Sequence, residues 1–257
     1  MLDLGRKSFE NTTFSLQHKR EPDRYKCELF RGHILAYLWG KVVLIDTGSE
    51  RSYGNFTTHL WGKIDLPRTI FGGISLDSLE KFLNFKVDAL LGNDYLSNVD
   101  WAINLEKGEF TIYSSKAHVQ NVDIEVPVKD YFGVPVVPLN VDGKNCEAIF
   151  DTGAPISYFS PSLVEGLTPT RFARDFFPLI GSFGTPIFKK SVAIGQASFN
   201  IEVGTLPKKL SLLLSTFADK QILGNEVVQH FEIVFSGRGR DRNLLLKRLQ
   251  GDQEEQL

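Results

Sequence analysis

The sequence predicts an all-β protein of two lobes related by a pseudo-twofold axis, with a few short helices. Short runs rich in β-branched and aromatic residues, punctuated by glycine turns, dominate the chain. The tripeptide Asp-Thr-Gly occurs twice, at Asp46 to Gly48 and Asp151 to Gly153, each time closing an apolar run. A second motif, apolar-apolar-Gly-Asn-acid, follows each copy, at Leu90 to Asp94 and Ile222 to Glu226.

Composition bounds the function classes. The chain has 257 residues, 42% hydrophobic and 23% charged, with a formal net charge of −2. That length suits one large domain or two lobes, each with its own core. The near-balanced charge argues against a surface built for nucleic acid or an anionic membrane, and no apolar run approaches the roughly 18–20 residues that span a bilayer. The opening stretch, Met1 to Glu10, lacks a basic segment followed by an apolar run of about 7–15 residues, so a cytoplasmic location is expected. Cys27 and Cys146 could form one disulfide, but in that compartment two buried thiols are expected. The sequons at Asn11 and Asn55 then carry no meaning.

Strands are expected over 14–17, 25–30, 33–39 and 41–48, separated by turn formers such as Gly32 and Gly40. A helix is expected over 75–85, where Leu76, Leu79, Phe82 and Leu83 recur at three- and four-residue spacing behind Ser75 as N-cap. A weaker helical pattern covers 160–167, with Ser160 as cap and Pro161 in the first turn. Arg238, Arg240 and Arg242 read as a solvated loop rather than an RNA-binding arm, leading to a last strand over 243–249 and a frayed acidic end.

The repeat is the strongest organising feature. The two Asp-Thr-Gly copies lie 105 residues apart, and each follows a Gly-Lys turn, Gly40-Lys41 and Gly143-Lys144. Gly92 and Gly224 of the second motif lie 132 apart, so the second half carries 27 extra residues between its motifs. Two copies of one unit are expected, 1–124 and 125–257, the second bearing an insertion.

Two carboxylates held face to face, about 3 Å apart, cannot both ionise near neutrality. They share one proton and titrate as a unit. One oxygen can then take a proton from a water while the other gives one to a carbonyl, which drives water attack on an amide without a metal or covalent intermediate. Asp46 and Asp151 are the candidates. Gly48 and Gly153 allow a tight turn beside the carboxyl, Thr47 and Thr152 can bond across to the opposite loop, and the apolar residues ahead anchor each loop in a strand. The five histidines, His18, His33, His59, His118 and His230, show no ligand spacing and the cysteines no CxxC, so no metal or cofactor is expected. His230 is placed half-exposed on a strand. No G-x-S-x-G elbow or phosphate-cradling loop occurs.

These residues resemble the aspartic protease superfamily, pepsin-like and retropepsin-like. "LIDTGS" and "IFDTGA" match its catalytic loops, "LLGNDYL" and "ILGNEVV" its later glycine segments, over roughly Tyr25 to Phe235. The match is closer to two short retropepsin-like units fused in tandem than to the longer pepsins. The resemblance implies a bilobal acid-protease fold, with Asp46 and Asp151 as the catalytic dyad and Thr47 and Thr152 as a cross-lobe grip. It places Leu91-Gly92 and Leu223-Gly224 beside the loops; Asn93 and Asn225 are expected to cap or bridge backbone near the site, a structural role. It has Ser49 bonding its own lobe's carboxylate where Ala154 cannot, which makes the two aspartates unequal.

The resemblance also implies a glycine-bearing hairpin, or flap, over the dyad. The insertion supplies one within 176–195: Ile180, Gly181, Ser182, Phe183 and Gly184 are the flap and substrate-binding candidates. Gly181 and Gly184 are expected near its tip, Ile180 and Phe183 facing the cleft. In the first half Gly72 and Gly73 run straight into the helix, so a single flap is expected. The implied activity is that of an aspartic endopeptidase, a monomer acting on an extended peptide with apolar side chains beside the cut bond. The alternatives are a catalytically silent peptide-binding module of the same fold and a structural protein keeping Asp-Thr-Gly for loop architecture alone.

Overall fold

The computed structural model describes residues 21–55, 57–58, 64–66, 75–177, 180–214 and 219–250. The strand expected over 14–17, Asn11, His18, His59, Gly72, Gly73 and the acidic end after 250 lie outside the described residues. The first half contains β1 (Asp23–Phe30), β2 (His33–Leu38), β3 (Lys41–Ile45), β4 (Tyr53–Gly54), β5 (Thr57–Thr58), β6 (Ile64–Asp65), α1 (Leu76–Leu83), β7 (Ala89–Leu91), α2 (Asn93–Leu96), β8 (Asp100–Asn104) and β9 (Glu109–Tyr113). Then follow β10 (Ile124–Pro127), β11 (Lys129–Tyr131), β12 (Val134–Val141), β13 (Lys144–Phe150), β14 (Ser157–Tyr158), β15 (Arg171–Phe177), β16 (Gly181–Ile194), β17 (Ala197–Gly204), α3 (Lys208–Leu213), β18 (Gln221–Leu223), β19 (Phe231–Ser236) and β20 (Asn243–Arg248).

Four two-residue turns set the hairpins of both halves. Arg31-Gly32, Trp39-Gly40, Phe132-Gly133 and Asp142-Gly143 all sit at positive φ, the geometry whose twist suits tight antiparallel connections. Gly32 and Gly133 have a second reason to be glycine. A Cβ on Gly32 would lie 2.8 Å from Pro155, and one on Gly133 would lie 2.4 Å from Glu50. Each half's first hairpin therefore presses on the residue four positions past the other half's Asp.

The repeat is a structural one. β10 and β11 together take the part of β1, β12 that of β2, β13 that of β3, and β14 that of β4, while β18, β19 and β20 answer β7, β8 and β9. In each half the strand before Asp-Thr-Gly pairs in parallel with the strand ending at the second motif: Ile45 sits opposite Leu91, and Phe150 opposite Leu223.

Six strands, ordered β10-β20-β19-β8-β9-β1, form a layer shared by the halves; β2, β3, β7 and β4 extend it in the first half to ten. The remaining strands of the second half form an eight-stranded sheet. Ala102 of β8 pairs with Val234 of β19, which is its own repeat mate at an offset of 132. The pseudo-twofold axis thus passes between these two residues. A continuous apolar core straddles it, with Trp101 stacked on Phe235 at 4.7 Å and Phe235 edge-on to Phe150 at 5.4 Å.

α1 forms where expected: Ser75 Oγ accepts the Ser78 N–H at 3.3 Å, and Leu76, Leu79 and Leu83 are buried. The pattern over 160–167 yields only a 3-10 turn at Pro161–Leu163, because Ser160 turns its hydroxyl to Ser162 rather than capping and the turn buries no face. Both cysteines are free; Cys27 is buried and Cys146 half-buried. Burial first, then Glu109 and Glu28, push the Cys27 thiol up to about 12, so it stays protonated. His230 is half-buried just ahead of β19, not within it.

Candidate active site

The parallel pairings carry both aspartates to one point. The Asp46 N–H donates to Leu91 O at 3.0 Å and the Asp151 N–H to Leu223 O at 2.9 Å, continuing β3–β7 and β13–β18 into the loops. The threonines then lock the loops together. Thr47 Oγ1 accepts the Thr152 N–H at 2.9 Å and donates to Phe150 O; Thr152 Oγ1 accepts the Thr47 N–H at 3.0 Å and donates to Ile45 O at 2.9 Å. Both threonines have no exposed surface. Four buried hydrogen bonds thus cross the pseudo-axis directly under the carboxyls.

The asparagines of the second motif bridge backbone: Asn93 Nδ2 donates to Thr47 O at 2.6 Å, and Asn225 Nδ2 to Thr152 O at 3.2 Å and Gly32 O at 2.5 Å. Gly92 and Gly224 each donate their N–H, at 2.9 Å, to serines six positions past the Asp, Ser52 and Ser157.

Asp46 and Asp151 bring their carboxyls together, each lying against the glycine of the other loop. The glycines make that approach feasible, since a Cβ on Gly48 would stand 2.2 Å from Asp151 Cγ and one on Gly153 2.4 Å from Asp46 Cγ. Ser49 differs from expectation. Its hydroxyl turns away to Arg51 O at 2.8 Å, and its backbone N–H serves Asp46 Oδ1 at 3.0 Å, just as the Ala154 N–H serves Asp151 Oδ1 at 3.1 Å. The serine hydroxyl therefore does not distinguish the aspartates.

Their surroundings do. Burial, then the Asp151 charge, pushes the Asp46 carboxyl well above the ordinary carboxylate range against the pull of the Ser49 and Gly48 N–H groups. Burial pushes Asp151 up to about 6, moderated by the Gly153 and Ala154 N–H groups and by Asp46, with the charge of Asp175 adding to the rise.

β15 and β16 form the hairpin of the insertion, pairing from Arg171–Ile187 to Phe177–Gly181. Gly181 stands at its tip, but Gly184 pairs with Arg174 three residues down the arm. Phe183 lines the cleft; Ile180 instead is 38% exposed at the turn, outside the cavity lining, and Ser182 is exposed. Phe176 lies flat on Phe82 of α1, ring centroids 3.6 Å apart, so the hairpin reaches from one half to the other. The first half also has a small hairpin, β5–β6, which the sequence did not suggest. A cavity of about 260 Å³ lies between the dyad and the β15–β16 hairpin, and one of about 320 Å³ adjoins it past Asp151, sharing Tyr158, Phe177, Leu206 and Ile222.

Sequence reasoning missed His33, Tyr53, Tyr158 and Asp175, all in the cavity wall. The tyrosines carried a signal: each follows its Asp by seven residues. Asp175 is the one acid of "RFARDFF", between Arg174 and two phenylalanines, and His33 had no signal at all.

Solved structures similar to this chain include three proteases. A retropepsin-like aspartic protease from Rickettsia conorii is similar over 51% of this chain and 96% of its own, at 18% identity and a TM-score of 0.31. The Simian foamy virus (mac) protease is similar over 37% of this chain and 91% of its own, at 16% identity and a TM-score of 0.29. An aspartic proteinase from Irpex lacteus spans 90% of this chain and 98% of its own, at 10% identity and a TM-score of 0.49. No protein-family model and no curated protein sequence matches the chain. Among the described residues no helix is long and apolar enough to cross a membrane, and no three metal-ligating side chains cluster.

Proposed function

We propose that the protein is an aspartic endopeptidase that hydrolyses peptide bonds with a water held between Asp46 and Asp151. One observation carries this reading: the two carboxyls, each against the other loop's glycine, sit above the crossed threonine pair and open onto a roofed, largely apolar cleft. In the working state Asp46 is protonated and Asp151 ionised. Asp151 takes a proton from the water as its oxygen attacks the carbonyl carbon, and Asp46 donates its proton to the carbonyl oxygen. The tetrahedral diol then collapses: the amide nitrogen is protonated by Asp151, the C–N bond breaks, and a hydroxyl proton returns to Asp46. The dyad regains its single proton without a covalent intermediate.

The substrate is an extended peptide or protein segment, held under the β15–β16 hairpin by strand-like pairing. Phe176, Phe177, Phe183, Leu206 and Ile222 form the walls that favour apolar side chains beside the cut bond. Because one chain supplies both aspartates, from units 1–124 and 125–257, a monomer suffices, and we place its work in the cytoplasm. The test is cleavage of a diverse peptide library between pH 4 and 8 by the wild-type protein, Asp46→Asn and Asp151→Asn. Cleavage by the wild type that both variants lose is expected. Binding of peptides without cleavage at any pH would instead make the chain a peptide-binding module.

A further inference from the structure

Among the described residues of β15, Asp175 is the acid that the hairpin turns inward. It is 8% exposed, sits opposite Phe183, and lines the same cavity as the dyad. The Tyr158 hydroxyl donates to its Oδ2, and the Phe176 N–H donates to its Oδ1 at 2.7 Å. Tyr158 belongs to β14, the strand leaving the second catalytic loop, so a single side-chain bond ties the roof of the cleft to its floor.

A neutral acceptor would latch that phenol equally well; a carboxylate adds charge. The ionisable groups that line the cavity with it are His33 from β2, Asp46 and Asp151 from the loops, Tyr53 from β4 and Tyr158 from β14, whereas Arg174 beside it on β15 is exposed. Burial holds His33 toward its neutral form, against the pull of Asp175 and the nearby Gly153 backbone. Burial and Asp175 itself keep Tyr158 protonated. No cation among these groups offsets the carboxylate, and the next charge it meets is the dyad's own.

We propose that Asp175 is a positioning residue for the dyad: fixed by Tyr158 on the inner face of the hairpin, its negative charge favours retention of the proton that Asp46 and Asp151 share. This rests on the proteolytic reading of the site. A like charge in the wall of the same cavity raises a carboxyl pKa, and Asp175, the smallest of the influences on Asp151, acts in that direction.

The experiment is a carboxyl-¹³C NMR titration of the full-length, aspartate-labelled protein as wild type, Asp175→Asn and Asp175→Glu, beside the pH profile of kcat/KM. The neutral variant is expected to lower the Asp151 midpoint by roughly 0.5–1 pH unit, with the acid limb of kcat/KM moving in parallel. The glutamate variant is expected to restore the wild-type midpoint. A midpoint unchanged in Asp175→Asn, with only KM or kcat altered, would overturn the proposal and leave a mechanical latch. Asp175→Ser, smaller and also neutral, replaces the amide variant where that does not fold. Failure of the wild type to cleave any peptide would sink the proteolytic reading alone, because the NMR midpoint decides the role of Asp175 without turnover.

Discussion

At the residue scale, each group in the site has a distinct way to fail. Asp46→Asn or Asp151→Asn leaves the fold intact and removes one partner of the proton exchange, so turnover should fall by roughly 10²–10⁴-fold or more, read in a single-turnover assay beside circular dichroism. The same substitution has an opposite effect on stability. A carboxyl whose folded pKa lies above its unfolded value favours the fold fully below the unfolded pKa, about 4, and loses that contribution as pH rises through the folded pKa, about 6 for Asp151. Wild type minus Asp151→Asn, measured as a difference in Tm, should therefore become more negative between pH 4 and 7; a pH-independent difference would mean that the pair is not held as described. Thr47→Val orphans the Thr152 N–H and the Phe150 carbonyl, and unpaired buried groups cost about 1–3 kcal/mol each, a loss that urea denaturation can read. The meeting of these residues was legible because Asp, Thr and Gly recur at one offset. Ser49 was not, because the sequence does not say which way a hydroxyl rotates, and here Arg51 O captures it.

At the element scale, the β15–β16 hairpin is held by its contacts with both halves. Phe176→Ala removes the stack on Phe82 of α1, a contact of about 0.5–1.5 kcal/mol beyond burial. KM for a peptide should rise severalfold while the dyad's pH midpoints stay put, as initial-rate kinetics across pH would reveal. The insertion that builds this hairpin was visible as 27 surplus residues between two spacings. Its register was not, because alternation in "FFPLIGSFG" supports several pairings, and the turn between Phe177 and Gly181 moves Gly184 down the arm. α1 was readable to within a residue or two from its cap and spacing. Its neighbour over 160–167 was over-read, since a cap and a proline do not make a helix without a buried face.

At the scale of the whole molecule, the repeat predicted two copies but not how they join. β1 runs unbroken from Asp23 to Phe30, whereas its counterpart divides at Val128 into β10 and β11 and serves two different sheets. That division has its local mark in Pro127, which has no N–H to donate to a ladder. It matters for folding, because β19 and β20 complete the layer begun by β8, β9 and β1. Deleting residues 231–257 should therefore abolish cooperative unfolding of the entire protein, not only of its second half, and calorimetry would show no separate transition from the first.

The unequal halves have a further consequence. An assembly of two identical units offers a bound strand two orientations of equal energy, and the strand can lie in either. Here the insertion, Phe176 resting on α1 and Asp175 on one flank break that degeneracy. The cleft therefore has a head and a tail, and under the proposed function would read a polypeptide in a single direction.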